Sequence, residues 1–225
     1  MTRTQTLAFV GDSITDAGRD RADAGSLGDG YVRLVADEFA RRGASVRVVN
    51  AGIAGNRAVD LERRWAPDVA PHEADVVTLF IGVNDMWRRY DHDDPTSAED
   101  FEATCRRLLA AEAQSRPVGP KWILMEPFLL PVREEQHAWL DDLDGKRQAV
   151  RRLAEETGAP LVPLHDILTA AAGAEGAAAL APDGVHPTPL GSRLIADAWF
   201  TAFDGVSASG REAAAPAAEA SAATA

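Results

Sequence analysis

The stretch LAFVGDSITDAG, residues 7–18, joins a short apolar run to a polar turn that contains glycine, aspartate and serine. An unbroken apolar run of this length is typical of a strand that is covered on both faces of a parallel sheet. The turn at the carboxyl end of such a strand is where open α/β sheets bind their ligands. The stretch therefore predicts a buried first strand and places Ser13 where a functional side chain would be.

Four further short apolar runs have the same character, and segments with helical periodicity lie between them. Strands are predicted over residues 7–10, 46–50, 76–81, 122–125 and 161–163. Because apolar residues recur every three or four positions, helices are predicted over 31–42, 97–114, 134–157 and from Thr188-Pro189 onward. This alternation predicts an α/β fold with three layers, α/β/α, around a five-stranded parallel sheet.

The chain has 225 residues, a net charge of -12 and a single cysteine, Cys105. The length fits one domain, and the acidic balance disfavours nucleic acid and anionic membranes as partners. One cysteine excludes an intrachain disulfide, and no signal peptide or membrane span is recognisable, so we expect a cytoplasmic protein. From about residue 207 the chain is rich in alanine and serine, which predicts a domain over 1–206 and a disordered tail over 207–225.

Turn residues and reactive side chains occur together where the predicted strands end. Such segments follow the first four strands directly, and a fifth comes after the last strand and its helix: 11–13, 50–56, 82–85, 126–128 and 183–187. Because the carboxyl ends of parallel strands meet at one edge of a sheet, we expect these turns to converge on one site.

The side chains in these turns fit the chemistry of acyl transfer. His186 can take the proton of Ser13, since imidazole titrates near neutral pH. Asp183 precedes that histidine by three residues in a glycine-containing turn, so its carboxylate can hold the ring. The backbone N–H groups of Ser13 and Gly55 and the side-chain amide of Asn84 are candidate donors to an oxyanion.

The four segments 11–13, 50–56, 82–85 and 183–186 together resemble the four sequence blocks of the SGNH (GDSL-type) hydrolases. The stretches GDSITDAGR, LGDGYV and IGVNDMWRRYD further resemble the acetylxylan-esterase branch of that family. The resemblance implies a flavodoxin-like fold and a carboxylic ester hydrolase with Ser13 as nucleophile. It also implies catalysis without a metal or cofactor, on a small-molecule or oligosaccharide ester such as acetylated xylan.

Five residues are candidates for substrate binding. Trp87, Arg88 and Tyr90 follow the Asn84 block and either form a sugar-binding wall or make a subunit contact in a homo-oligomer. Phe128 is a candidate wall of the acyl pocket. Asp12 lies beside the nucleophile, where supporting the turn through local hydrogen bonds is the alternative role.

Other interpretations of the sequence are open at this stage. The first turn is also compatible with a plain turn that a serine caps, whereas a phosphate loop lacks its Gly-Lys-Ser/Thr sequence. The acidic run at 91–94 is interpreted as a solvated loop, because no second cluster has metal-ligand spacing. His165 is expected to be structural. A lysophospholipase or thioesterase of the same family, and a non-catalytic carbohydrate-binding domain, are the alternative functions.

Overall fold

A computed structural model describes residues 3–115 and 119–212 of the chain. Its centre is a five-stranded sheet in which every neighbouring pair of strands is parallel. The strand order is β2-β1-β3-β4-β5, the flavodoxin-like order in which the first two strands are exchanged. The strands span Gln5–Gly11 (β1), Val46–Asn50 (β2), Val76–Phe80 (β3), Lys121–Met125 (β4) and Leu161–Val162 (β5). The predicted sheet is therefore confirmed.

The first strand shows why the strands are apolar along their whole length. Side chains alternate between the two faces of a strand, so Leu7 and Phe9 enter one hydrophobic cluster, while Ala8 and Val10 enter the other. Both clusters are buried, and hence neither face of β1 can carry a polar side chain without a partner.

Helices cover both faces of the sheet. The first cluster is closed by α2 (Tyr31–Arg41), α7 (Leu164–Glu175) and α9 (Pro189–Glu212). The second cluster is closed by α3 (Ala58–Asp68), α5 (Ala98–Ser115) and α6 (Leu140–Thr157). The remaining helices are short or lie at the sheet edge: α1 (Ser13–Asp16), α4 (Val83–Asp91) and α8 (Ala177–Leu180), with 3₁₀ turns at Ala70–His72 and Glu134–Trp139.

The structure differs from the sequence-based expectations in several places. The segment expected as one helix over 134–157 begins with the 3₁₀ turn Glu134–Trp139, and α6 starts at Leu140. Helix α3 was not predicted. The segment 82–85, expected as a turn, is the start of α4, with Gly82 alone outside the helix at a φ of 124°. Helix α9 continues to Glu212, beyond the domain boundary expected at 206, and residues 213–225 of the expected tail lie outside the described residues.

Candidate active site

Ser13 stands at the carboxyl end of β1, at the first position of the one-turn helix α1. The side chain of Asp12 caps this helix, because its Oδ1 accepts the amide hydrogen of Ile14 at 3.0 Å. Asp12 is 1% exposed, so the cap is buried. The turn thereby presents Ser13 at the sheet edge, on a backbone that β1 and the cap hold in place.

Ser13, His186 and Asp183 lie in one hydrogen-bonded line. The Oγ of Ser13 is 2.8 Å from Nε2 of His186, and the Nδ1 of His186 is 2.6 Å from Oδ2 of Asp183. The second oxygen of Asp183 accepts the backbone amides of Val185 and His186 at 2.9 and 2.8 Å. The structure brings together the three residues that the sequence predicted as a catalytic set.

The ionisation of Asp183 suits its place beside the imidazole. Partial burial alone would raise the pKa of this carboxyl group, but the hydrogen bonds from the ring of His186 and from two backbone amides outweigh that effect. The net result holds the pKa of Asp183 below its usual value. An ionised carboxylate therefore faces Nδ1 and favours the tautomer that leaves Nε2 free to accept a proton.

Gln136, which no sequence motif marks, connects the turn that carries Asp183 and His186 to the loop after β4. Gln136 is fully buried, and its Nε2 donates to the backbone oxygen of Asp183 at 2.7 Å. Its Oε1 accepts the amides of Val132 and Arg133 at 2.8 and 3.1 Å. Gln136 lies in a polar segment with no motif, so its role depends on tertiary contacts alone.

Asn84 is the second residue of helix α4 and is buried. Its Nδ2 donates to the backbone oxygen of Asn56 at 3.1 Å, and its Oδ1 accepts from Nη2 of Arg88 at 3.1 Å. The next residue, Asp85, accepts the amide of Ala58 at 3.1 Å. These bonds connect the start of α4 to the segment that contains Gly55.

Gly55 has a φ of 83°, and an added Cβ would meet no atom within 4 Å. Its segment is bound to β1 and α1 through the amides of Ile53, which donates to Gly11 O at 3.1 Å, and Ala54, which donates to Asp16 Oδ2 at 2.9 Å. This left-handed backbone and open approach fit a residue whose N–H faces a ligand.

The side chain of Arg64 in helix α3 bonds to the carboxyl end of β1 and to the segment that follows β2. Its Nε donates to Oδ1 of Asn56 at 2.6 Å, and its Nη2 donates to the backbone oxygens of Ala51 at 2.8 Å and Gly11 at 3.4 Å. The sequence did not single out Arg64, because its partners belong to two turns that are distant in the chain. The guanidinium fixes the Gly55 segment relative to the turn that carries Ser13.

A cleft of about 720 Å³ opens beside Ser13 and His186. Its wall combines small residues such as Gly18 and Ala54 with charged side chains. The residues that line the cleft are Ser13, Ile14, Asp16, Ala17, Gly18, Arg19, Arg21, Asp29, Gly30, Ala54, His186, Pro187, Pro189 and Ser192. Charged groups and exposed backbone offer many hydrogen-bonding partners. The loop 17–30 therefore forms one wall of the cleft, although no sequence motif marks it as part of the site.

Two of the candidate substrate-binding residues are buried away from the cleft. Phe128 is completely buried and packs against Phe80, with ring centroids 6.4 Å apart, so its assignment as a wall of the acyl pocket is corrected to a core role. The carboxylate of Asp12 caps Ile14 inside the turn and does not line the cleft. Its substrate-binding assignment is likewise corrected to support of the turn.

The three remaining candidates belong to helix α4, and one of them lies beside His186. The Trp87 ring is half-buried, and its centroid lies 6.1 Å from the His186 ring. Tyr90 is exposed and stacks on Trp139 at 4.9 Å. Nη2 of Arg88 donates to Oδ1 of Asn84. Trp87 is thus the member of this group that lies beside the histidine.

The other histidine near the sheet edge has a different environment. Leu129 N donates to Nδ1 of His165 at 3.5 Å. Burial, together with the positive charge of Arg147, lowers the pKa of His165 to about 4. A neutral imidazole that accepts a backbone hydrogen bond has a structural role, as expected. Among the described residues, no group of three or more histidine, cysteine, aspartate or glutamate side chains could hold a metal ion.

A parallel α/β sheet that carries a serine, a histidine and an aspartate in one hydrogen-bonded line is the architecture of a serine-dependent hydrolase. The sequence profile of the GDSL-like lipase/acylhydrolase family matches residues 9–194, and the chain belongs to this family. This is the family that the four sequence blocks resemble, so that prediction is confirmed.

Two curated relatives are esterases. The acetylxylan esterase of Geobacillus stearothermophilus is 36% identical over 204 residues, which cover 86% of this chain and 91% of the relative. Esterase TesA of Pseudomonas aeruginosa is 28% identical over 200 residues, which cover 88% and 87%. The chain is accordingly a carboxylic ester hydrolase, and the alternative of a non-catalytic binding domain is set aside.

Solved structures share the whole fold. A GDSL-like lipase of Parabacteroides merdae superposes with a TM-score of 0.85 at 32% identity, over 91% of this chain and 97% of that one. Axe2, the acetylxylan esterase of Geobacillus stearothermophilus, superposes with a TM-score of 0.80 at 35% identity, over 88% and 93%. In the described part of the chain, no helix has the length and apolar character needed to cross a membrane.

Proposed function

We propose that the protein hydrolyses small acyl esters, above all acetyl esters of xylan-type or other sugars, through an acyl-enzyme on Ser13. The observation that carries the proposal is the unbroken line from the Ser13 hydroxyl through His186 to the Asp183 carboxylate. A serine hydroxyl becomes a useful nucleophile only when a base of this kind takes its proton.

In the first half of the reaction, Oγ of Ser13 attacks the ester carbonyl carbon while Nε2 of His186 takes the hydroxyl proton. The carbonyl oxygen becomes an oxyanion that accepts hydrogen bonds from the N–H groups of Ser13 and Gly55 and from Nδ2 of Asn84. When the carbon–oxygen bond to the alcohol breaks, His186 returns the proton to the departing oxygen. The alcohol leaves and the acyl group stays on Ser13.

In the second half, a water molecule attacks the acyl-enzyme and His186 takes one of its protons. The same donors bind the second oxyanion. The bond between the acyl carbon and Oγ then breaks, and the proton on His186 returns to Ser13. Asp183 remains ionised throughout and stabilises the imidazolium that forms in each half.

The composition of the cleft supports a hydroxyl-rich alcohol as the leaving group. Arg21 and Asp29 lie on its wall together with several glycine and alanine residues. Guanidinium and carboxylate groups pair well with sugar hydroxyls, since hydrogen bonds that involve a charged group are the stronger ones. Ile14 is the largest alkyl side chain of the lining. Such a wall favours a sugar over a long acyl chain.

Similarity to named relatives supports the acetyl preference. The Geobacillus stearothermophilus relative is an acetylxylan esterase, and it is 36% identical over most of both chains. The alternative within the family is an esterase that prefers longer acyl chains, such as a lysophospholipase or a thioesterase. The two differ in acyl length and leaving group, and share the chemistry at Ser13.

The test of the chemistry is the turnover of p-nitrophenyl acetate by Ser13→Ala. Loss of at least about 10³-fold in kcat with an unchanged thermal midpoint supports the proposal. A Ser13→Ala enzyme that keeps its activity would contradict the proposed acyl-enzyme on Ser13.

The test of the substrate class is a ranking of kcat/KM over acetylated xylo-oligosaccharides, acetylated glucose, and p-nitrophenyl esters of increasing acyl length. We expect acetylated sugars to lead and activity to fall beyond acetate. If butyrate or longer esters are turned over severalfold faster than acetate, the longer-chain alternative replaces the acetyl preference.

A further inference from the structure

The side chain of Arg88 engages Asn84, one helical turn earlier in α4. Its Nη2 donates to Oδ1 of Asn84 at 3.1 Å, while Nδ2 of the same amide donates to the backbone oxygen of Asn56 at 3.1 Å. A guanidinium group can donate hydrogen bonds but cannot accept them. It therefore determines which end of the carboxamide carries the oxygen, because a rotated amide would set two donors against each other.

The guanidinium itself is held in place from two sides. Its Nη1 donates to Oδ2 of Asp91 at 2.5 Å, and its central carbon lies 5.8 Å from the ring centroid of Trp87. The side chain is mostly buried, with 23% of its surface exposed. Arg88 is thus fixed by its own helix and is in turn able to fix Asn84.

One donor of Arg88 is left without a partner, since its Nε is buried and has no hydrogen-bond partner among the described residues. The position of the guanidinium is therefore set by the bonds of Nη1 and Nη2 to Asp91 and Asn84.

We propose that Arg88 is a positioning residue, which aims Nδ2 of Asn84 at the oxyanion without touching the substrate. The inference rests on the proposed role of Asn84 as an oxyanion donor. The oxyanion exists only in the transition state and the intermediates, so a misaligned amide lowers kcat and leaves KM nearly unchanged. In this role the guanidinium acts on the oxyanion side of the site through Asn84.

The experiment is a double-mutant cycle between Arg88→Met and Asn84→Ala, measured as kcat and KM for p-nitrophenyl acetate. Methionine removes every donor but keeps much of the apolar stem. We expect Arg88→Met alone to lower kcat about tenfold or more, with KM within about twofold. In the Asn84→Ala background the same substitution should change kcat by less than about twofold, because Arg88 acts only through that amide.

Arg89→Met is the matched control. This neighbouring arginine lies on the same helix and pairs with Oδ2 of Asp142 at 3.1 Å instead of with Asn84. It should keep the wild-type kcat. The thermal midpoints of both methionine variants, followed by circular dichroism, separate a loss of positioning from a loss of folding.

If Arg88→Met does not fold, Arg88→Lys replaces it in the double-mutant cycle with Asn84→Ala. The lysine ammonium group keeps the positive charge and can donate one hydrogen bond in place of the several that the guanidinium makes. This substitution should lower kcat by about threefold or more in the wild-type background and leave it unchanged beside Asn84→Ala. A reduction in kcat by the same factor in both backgrounds would overturn the inference, as would a raised KM with unchanged kcat. If the Asn84→Ala single variant keeps the full kcat, both the inference and the proposed role of Asn84 are overturned. If the Asn84→Ala single variant is slow but the Arg88→Met single variant keeps the wild-type kcat, the inference alone is overturned.

Discussion

The hydroxyl oxygen of Ser13 lies 2.8 Å from Nε2 of His186, although 173 positions of sequence separate the two residues. One side chain stands at the end of the first strand, and the other follows the fifth strand and its helices. The parallel sheet makes this contact possible, because it brings the carboxyl ends of its strands to one edge.

Asp183→Asn should lower kcat for p-nitrophenyl acetate by on the order of 10⁴. The amide would place an N–H donor against Nδ1 of His186, which moves the ring proton to Nε2 and prevents it from accepting the proton of Ser13. The oxygen of the new side chain can still accept the amides of Val185 and His186, so the turn should stay folded. A decrease of less than tenfold would show that the carboxylate does not set the tautomer.

Gly55→Ala should reduce kcat, and Gly43→Ala provides the comparison. Both glycines have a positive φ, 83° and 67°, and an added Cβ meets no atom within 4 Å at either site. Each substitution should therefore cost about 1 kcal/mol in the free energy of unfolding measured in urea. Only the first should also reduce kcat, by about tenfold or more, because the relaxed backbone shifts a proposed oxyanion donor. Equal kcat values for the two variants would exclude Gly55 from that role.

Asp29→Ala should shift the preference of the enzyme between sugar and aryl esters. Asp29 lines the cleft, and a hydrogen bond to a charged group is worth about 1.5–3 kcal/mol. The ratio of kcat/KM for acetylated xylobiose to that for p-nitrophenyl acetate should therefore fall roughly tenfold. Asp37→Ala, which removes an exposed carboxylate from helix α2, should leave the ratio as it is. An unchanged ratio in Asp29→Ala would place the sugar elsewhere.

The stability contributed by Asp12 and Asp85 should decrease as the pH rises from about 4 to about 7. Burial raises the pKa of Asp12 to about 7, an effect that the Asp85 carboxylate increases, and burial likewise raises the pKa of Asp85 to about 7. In this range the folded chain holds protons that the unfolded chain has released. Each group therefore lowers the free energy of unfolding by up to about 1.4 kcal/mol per pH unit until its folded pKa is passed.

The comparison of Asp85→Asn with the wild type isolates one of these groups. The asparagine cannot ionise but keeps an oxygen that can accept the amide of Ala58. We expect a flatter dependence of the thermal midpoint on pH for this variant, whereas Asp197→Asn, at an exposed position of α9, should keep the wild-type slope. A slope that Asp85→Asn does not alter would assign the pH dependence to other groups.

The sequence alone predicts the sheet and brings Ser13, His186 and Asp183 into one candidate site, because both features have local signals. Buried parallel strands are short apolar runs, and their five positions agree with the structure to within two residues at each end. Ser13 and His186 each follow a glycine and an aspartate within a few residues, a combination that marks both turns in the sequence. The cytoplasmic location and a homo-oligomer stay predictions.

The missed parts of the structure depend on contacts between distant segments. Gly82 and Asn84 favour a turn by propensity, but the packing of helix α4 against the rest of the fold overrides that preference. The position of Phe128 after a strand end predicts a place in the acyl pocket, whereas its ring enters the core and packs against Phe80. Gln136 acts through backbone atoms, and Arg64 acts through backbone atoms together with the side chain of Asn56. Such partners in distant segments leave no local pattern in the sequence.

Covalent labelling with a fluorophosphonate, followed by intact mass and peptide mapping, tests most directly whether Ser13 is the nucleophile. We expect a single adduct on Ser13, formed in step with the loss of p-nitrophenyl acetate hydrolysis, and no adduct on the Ser13→Ala variant. Full activity after complete labelling of Ser13, or inactivation by an adduct at another residue, would contradict the central claim that Ser13 is the nucleophile.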